Sequence, residues 1–146
     1  MGLMATMFKQ KDAWTCGPAV LRLILNWYFA RPKSVYGIVR ELKISRRGTE
    51  DRQLIAMLKR SGIKYRVKRN AALADIRRFL PNYLVVLAYW IPTHREGHYS
   101  IVKHVNHTRI YFHDTWFGSR HSYSLPYFTR RCWHEKEYRW LLLIPK

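Results

Sequence analysis

With 146 residues, 48% of them hydrophobic and 15% aromatic, the chain has material for one folded domain, residues 1–146, and is no disordered tract. Its 27 Lys and Arg against 9 Asp and Glu give a formal net charge of +18, a field that draws acidic peptides, anionic membrane surfaces or nucleic acid. The longest apolar stretch, Tyr83 to Ile91, is too short to span a bilayer, and two cysteines build no disulfide framework. Two free thiols in a reducing, cytoplasmic compartment are the expectation.

Residues 1–9 read as a lead-in without a secretory signal. Met1-Gly2 with Thr6 meets the myristoylation pattern formally, a match that chance explains. A first helix is predicted over Gly17 to Phe29, because Leu21, Ile24, Leu25 and Tyr28 recur at steps of three and four and so share one inward face. Thr15 is the expected N-cap and Pro18 suits the first turn, where an N–H has no partner anyway. Pro32 breaks the helix. Ser34 is expected to cap a second helix ending at Leu42. Ile44 to Gly48 reads as a basic loop, and Thr49 as the cap of a third helix, Glu50 to Arg60, with Leu54, Ile55 and Leu58 facing inward.

The pattern then changes to strands. Ile63 to Lys68 alternates apolar and basic residues, the mark of a half-exposed strand. Leu73 to Phe79 reads as a short helix. Tyr83 to Ile91 is a continuous apolar run and reads as a central strand. His98 to Val105, Arg109 to Asp114 and Arg139 to Ile144 complete the strands, with a helical turn over Pro126 to Cys132. Helices first and an antiparallel sheet second is an α+β arrangement.

Three places carry chemistry. Cys16 stands where a loop enters the first helix, and a helix N-terminus favours negative charge, hence a thiolate over a thiol. Gly17 beside it is read as leaving room for a substrate backbone, and Gln10 as a side-chain amide that donates to a developing oxyanion. His98 begins one strand and Asp114 ends the next. The short turn around Asn106 to Thr108 makes these a hairpin, so the two side chains meet at one end of the sheet as a base and its orienting carboxylate.

Gln10…Cys16-Gly17-Pro18-Ala19, then Gly97-His98-Tyr99 before an apolar strand, then Asp114 closing the next, resembles the bacteriocin-processing (double-glycine) cysteine peptidases and their stand-alone papain-like relatives. The likeness extends over nearly the whole chain. It implies a papain-like fold, N-terminal helices packed on a C-terminal antiparallel sheet, and a Cys–His–Asp triad. Carried over by position, Cys16 is the nucleophile, His98 the base, Asp114 the orienter and Gln10 the oxyanion donor. It implies peptide or protein substrates, with cleavage after small residues such as Gly-Gly. The chain departs from the pattern in two places. Many members have Asp-Pro at the orienting carboxylate, where Thr115 follows here, and many have an acidic residue where Thr15 stands.

Other readings stay open at this level. The basic stretches Arg40 to Arg47, Lys59 to Arg69 and Arg77-Arg78, with Trp90, Tyr99, Trp116 and Phe117 as stacking surfaces, would suit nucleic acid. The same fold would also serve a module that binds a peptide without cutting it, or an acyltransferase that uses the same thioester step. Seven histidines raise the question of zinc. Glu96-Gly97 between His94 and His98 argues against one helix face, and no cysteine pair lies near the others, so neither metal nor cofactor is expected.

Overall fold

The structure, a computed structural model, describes residues 9–30 and 33–146. Three helices come first: α1 (Cys16–Tyr28), α2 (Val35–Leu42) and α3 (Asp51–Arg60). They are followed by β1 (Arg66–Arg69), α4 (Leu73–Phe79), β2 (Tyr83–Ile91), β3 (Glu96–Val105), β4 (Arg109–His113) and β5 (Ser122–Ser124). A single helical turn, Leu125–Tyr127, then runs into a π-type segment, Phe128–Cys132, and β6 (Trp140–Pro145) closes the chain. Met1, Gly2, Thr6 and Pro32 lie outside the described residues.

The strands form one antiparallel sheet in the order β1-β6-β2-β3-β4-β5. β2 lies between β6 and β3, and its side chains alternate between two cores. Leu84, Val86 and Ala88 join Ile101, Leu142 and Ile144 against α1, α2 and α3. Val85, Leu87 and Tyr89 join Val102, Phe112 and Leu141 against α4 and the Phe128–Cys132 segment. A strand covered on both faces needs apolar residues at every position, which is why Tyr83 to Ile91 shows no alternation in sequence. The architecture is the expected α+β fold, helices packed on an antiparallel sheet.

Differences from the sequence reading have local causes. Thr15 stands at the N-cap position, but its hydroxyl donates to the Asp12 carbonyl at 2.8 Å and caps nothing. Ser34 does cap α2, accepting from the Gly37 N–H at 3.0 Å. At α3 the N-cap is Glu50, not Thr49, and the Gln53 side chain accepts from the Glu50 N–H at 2.8 Å. Leu21, Ile24 and Leu25 are buried, but Tyr28 is 39% exposed because α1 ends at the rim. The alternating run from Ile63 becomes a strand only from Arg66, where pairing with Leu143 begins. β5 has three half-buried residues and no sequence signature; it exists because β4 offers it an edge.

Candidate active site

The loop before α1 is built around one carbonyl. Asp12 O accepts from Gln10 Nε2 at 2.8 Å, from the Thr15 hydroxyl at 2.8 Å and from the Thr15 N–H at 3.2 Å. That knot turns the chain into a short 3₁₀ segment, Ala13–Thr15, which passes directly into α1. Cys16 is therefore the first residue of a 13-residue helix, at the end where unpaired N–H groups and the helix dipole favour negative charge. Its sulfur also accepts from the Tyr99 N–H at 3.5 Å, which ties the helix start to β3.

Gln10 is buried and tied to the other half of the chain. Its backbone N–H donates to Thr115 O at 2.7 Å, and its Oε1 accepts from the Thr115 hydroxyl at 2.6 Å. Nε2 carries two hydrogens, and Asp12 O takes one; the 3.5 Å approach to Ala13 O is too long to hold the second firmly.

His98 and Asp114 come together through the β3–β4 hairpin. Ile101 pairs with His113, so the next residue, Asp114, reaches back beside Ser100 and His98. His98 Nε2 lies 2.9 Å from Asp114 Oδ2 and 3.1 Å from Oδ1. The other ring nitrogen, Nδ1, does not meet Asp114, and His98 and Cys16 line the same cleft. Both residues are buried, His98 to 4% exposure and Asp114 to 0%.

A carboxylate with no contact to water survives only if its lone pairs are met. Asp114 Oδ2 accepts from the Ser100 hydroxyl at 2.8 Å and the Tyr89 hydroxyl at 3.1 Å, and Oδ1 from the N–H groups of Trp116 and Phe117, both at 2.9 Å. A tight turn closed between Asp114 and Gly118 aims those two N–H groups inward, and Gly118 at φ +104° takes a conformation that side chains resist.

The electrostatics follow. Burial alone raises the Asp114 carboxyl, but the hydrogen bond and charge of His98, with the Phe117 N–H and the Ser100 hydroxyl, hold it well below the usual carboxylate range. Burial pulls the His98 imidazolium down, but hydrogen bonds to Asp114 and Cys16, then their charges, outweigh it and push the ring up to about 10. The rings of Tyr89 and Phe117 pack edge-on to His98, at 5.4 and 6.2 Å between centroids, and wall the His98–Asp114 pair off.

Sequence reasoning missed Tyr89, Ser100, Thr115 as the anchor of Gln10, and the Tyr99 N–H. Ser100 had a signal, since two residues past His98 on a strand is the same face. Tyr89 stands directly across β2 from His98, which only the strand register reveals. Tyr99, read as a stacking surface, is buried: its ring packs on Trp140, and its hydroxyl donates to Thr49 O and Asp51. Gly17 does not leave room for substrate. A Cβ there would sit 2.3 Å from Thr49 Oγ1 and 2.5 Å from Thr49 Cβ, so the glycine admits Thr49 instead.

Cys16 and His98 open onto a cleft of about 500 Å³, with Trp14 and Thr49 on one side and Gly97 and Tyr138 on the other. Among the described residues no group of three His, Cys, Asp or Glu side chains is placed to hold a metal ion, and no helix is long and apolar enough to cross a membrane. Cys132, the other free cysteine, is buried beside Phe128 and Trp133, and burial pushes its thiol up to about 12.

Comparison with curated proteins finds no match. Solved structures share the fold. The peptidase domain of Streptococcus ComA, a bi-functional ABC transporter involved in a quorum-sensing pathway, superposes with a TM-score of 0.74 at 18% identity, over 96% of this chain and 98% of that one. A double glycine motif protease from an AMS/PCAT transporter, solved with the leader peptide, gives 0.72 at 16% identity, over 96% and 91%. The model of the Peptidase C39 family matches residues 5–133, so the chain belongs to that family and is a cysteine peptidase.

Proposed function

We propose that the chain cuts leader-type peptides after small residues such as Gly-Gly, with Cys16, His98, Asp114 and Gln10 as its machinery. The observation that carries this reading is the His98–Asp114 pair, buried at 2.9 Å, beside the one cysteine that begins a helix and opens on a cleft.

The Cys16 thiolate attacks the peptide carbonyl while His98 holds the proton on Nδ1. The oxyanion takes the Cys16 N–H and the second hydrogen of Gln10 Nε2. His98 passes its proton to the leaving amine, and a thioester to Cys16 remains. Water, deprotonated by His98, hydrolyses that thioester and restores the thiolate. Asp114 keeps its position on Nε2 throughout, fixing the ring and stabilising its charged form. Gly97 lines the cleft, and a Cβ at that position would come to 3.0 Å from the Tyr138 hydroxyl, so a glycine is needed there.

The test is mass spectrometry of a peptide carrying an internal Gly-Gly, incubated with the wild-type chain and with Cys16→Ala. The expected result is two fragments whose masses sum to the peptide plus one water, absent with Cys16→Ala. Fragments from both proteins, or from neither, would remove the proposal. A fragment joined to an added amine instead of water would replace hydrolysis with acyl transfer.

A further inference from the structure

A second, smaller pocket of about 120 Å³ lies away from the cleft, walled by Trp27, Leu84 and Val102. Lys103 on β3, His113 at the end of β4 and Lys146 just after β6 bring three nitrogen-bearing side chains to it. Lys103 is five residues beyond His98 on β3, about 17 Å at the usual strand rise, and although His113 directly precedes Asp114, none of the three lines the catalytic cleft.

No side-chain carboxylate among the described residues forms an ion pair with Lys103 or Lys146. Lys146 Nζ donates to Leu80 O at 3.1 Å, Lys103 Nζ approaches Ser119 O at 3.5 Å, and neither ammonium meets a carboxylate. His113 Nδ1 is buried and has no hydrogen-bond partner among the described residues. Burial first, then the charges of Lys103 and Lys146, push the His113 ring down to about 4, so it sits neutral between two cations.

We propose that Lys103, His113 and Lys146 form a binding site for a phosphate group, separate from the catalytic cleft. Two ammonium groups supply the charge that a phosphate needs. A neutral Nδ1 either donates to a bare phosphate oxygen or accepts from a protonated one, so a phosphate satisfies either tautomer. The pocket has room for a phosphate group and opens to solvent on one side. Free phosphate and an anionic lipid headgroup share this chemistry.

The test follows the His113 ring nitrogens by NMR in the full chain, titrated with inorganic phosphate and, separately, with phosphatidylglycerol vesicles. Sodium chloride at matched ionic strength is the control. A saturable shift that chloride does not reproduce is expected, and Lys103→Ala and Lys146→Ala should each weaken it about tenfold. Both side chains are exposed, so circular dichroism should report an unchanged fold. Saturation by free phosphate identifies a small-molecule site, and saturation by vesicles alone identifies a headgroup site. A shift with neither probe, one that chloride matches, or one that both lysine variants keep at full affinity would overturn the proposal. The readout is binding, so it stands or falls independently of peptide cleavage.

Discussion

In the proposed mechanism the chemistry turns on Asp114, a charge wholly removed from water and kept there by five donors on β2, β3 and the turn after β4. In that mechanism its effect reaches Cys16 through His98. A ring raised to about 10 stays protonated through the neutral range, so peptide cleavage should hold on a plateau and fall as pH rises through about 10. The same shift is a stability statement: the contribution is complete below the ordinary histidine value of 6.5 and is lost between there and about 10. In Asp114→Asn the counter-charge is gone, and the alkaline limb of kcat/KM should move to lower pH by one unit or more. An unmoved limb would show that Asp114 does not hold the His98 proton. The pairing itself was legible in sequence, since a strand, a short turn and a strand place its first and last residues side by side. The donors that keep Asp114 charged were not, apart from Ser100, because Tyr89 lies across a register that no local pattern announces.

At the scale of elements, α1 does two jobs with one sequence. Its first turn delivers Cys16, and its body fills the core with Leu21, Leu23 and Ile24. The contact that sets its depth is Gly17 against Thr49, 32 residues later, which brings the α3 entry onto the helix start. Replacing Gly17 with Ala forces a methyl into that contact and should cost about 1–3 kcal/mol in urea unfolding, with activity lost in proportion to displacement of Cys16. Adding Thr49→Gly should return most of the stability. A Gly17→Ala variant as stable as wild type would contradict this packing. Most helix and strand positions followed from periodicity and breaker residues, and the ends that did not are instructive. Thr15 and Thr49 are good caps by residue type, yet the Asp12 carbonyl takes one hydroxyl and burial against Gly17 takes the other. Cap preference is a local energy of about 1 kcal/mol; a competing local hydrogen bond overrode it at Thr15 and tertiary packing at Thr49.

The whole molecule is a sheet with two covered faces and a strongly positive surface. Its site is assembled from segments far apart in sequence: a loop and helix start near residue 16, a strand start near 98 and a turn near 114. Only the folded chain holds them together, so the site should vanish with the global unfolding transition and not before. The +18 charge acts at longer range. For an acidic peptide, kcat/KM should fall several-fold between 0.05 and 0.5 M salt, while an uncharged peptide of the same length changes little. Equal salt dependence for both peptides would mean that the charge does not recruit substrate. Nothing in the composition distinguished these uses of charge, because a net count carries no positions.

The most direct measurement is the rate of iodoacetamide labelling at each cysteine near pH 5, read by peptide mapping. The account predicts fast modification of Cys16, slowed at least about tenfold by His98→Ala, and no modification of buried Cys132 until the chain unfolds. Slow and equal labelling of Cys16 and Cys132, unchanged by His98→Ala, would contradict it.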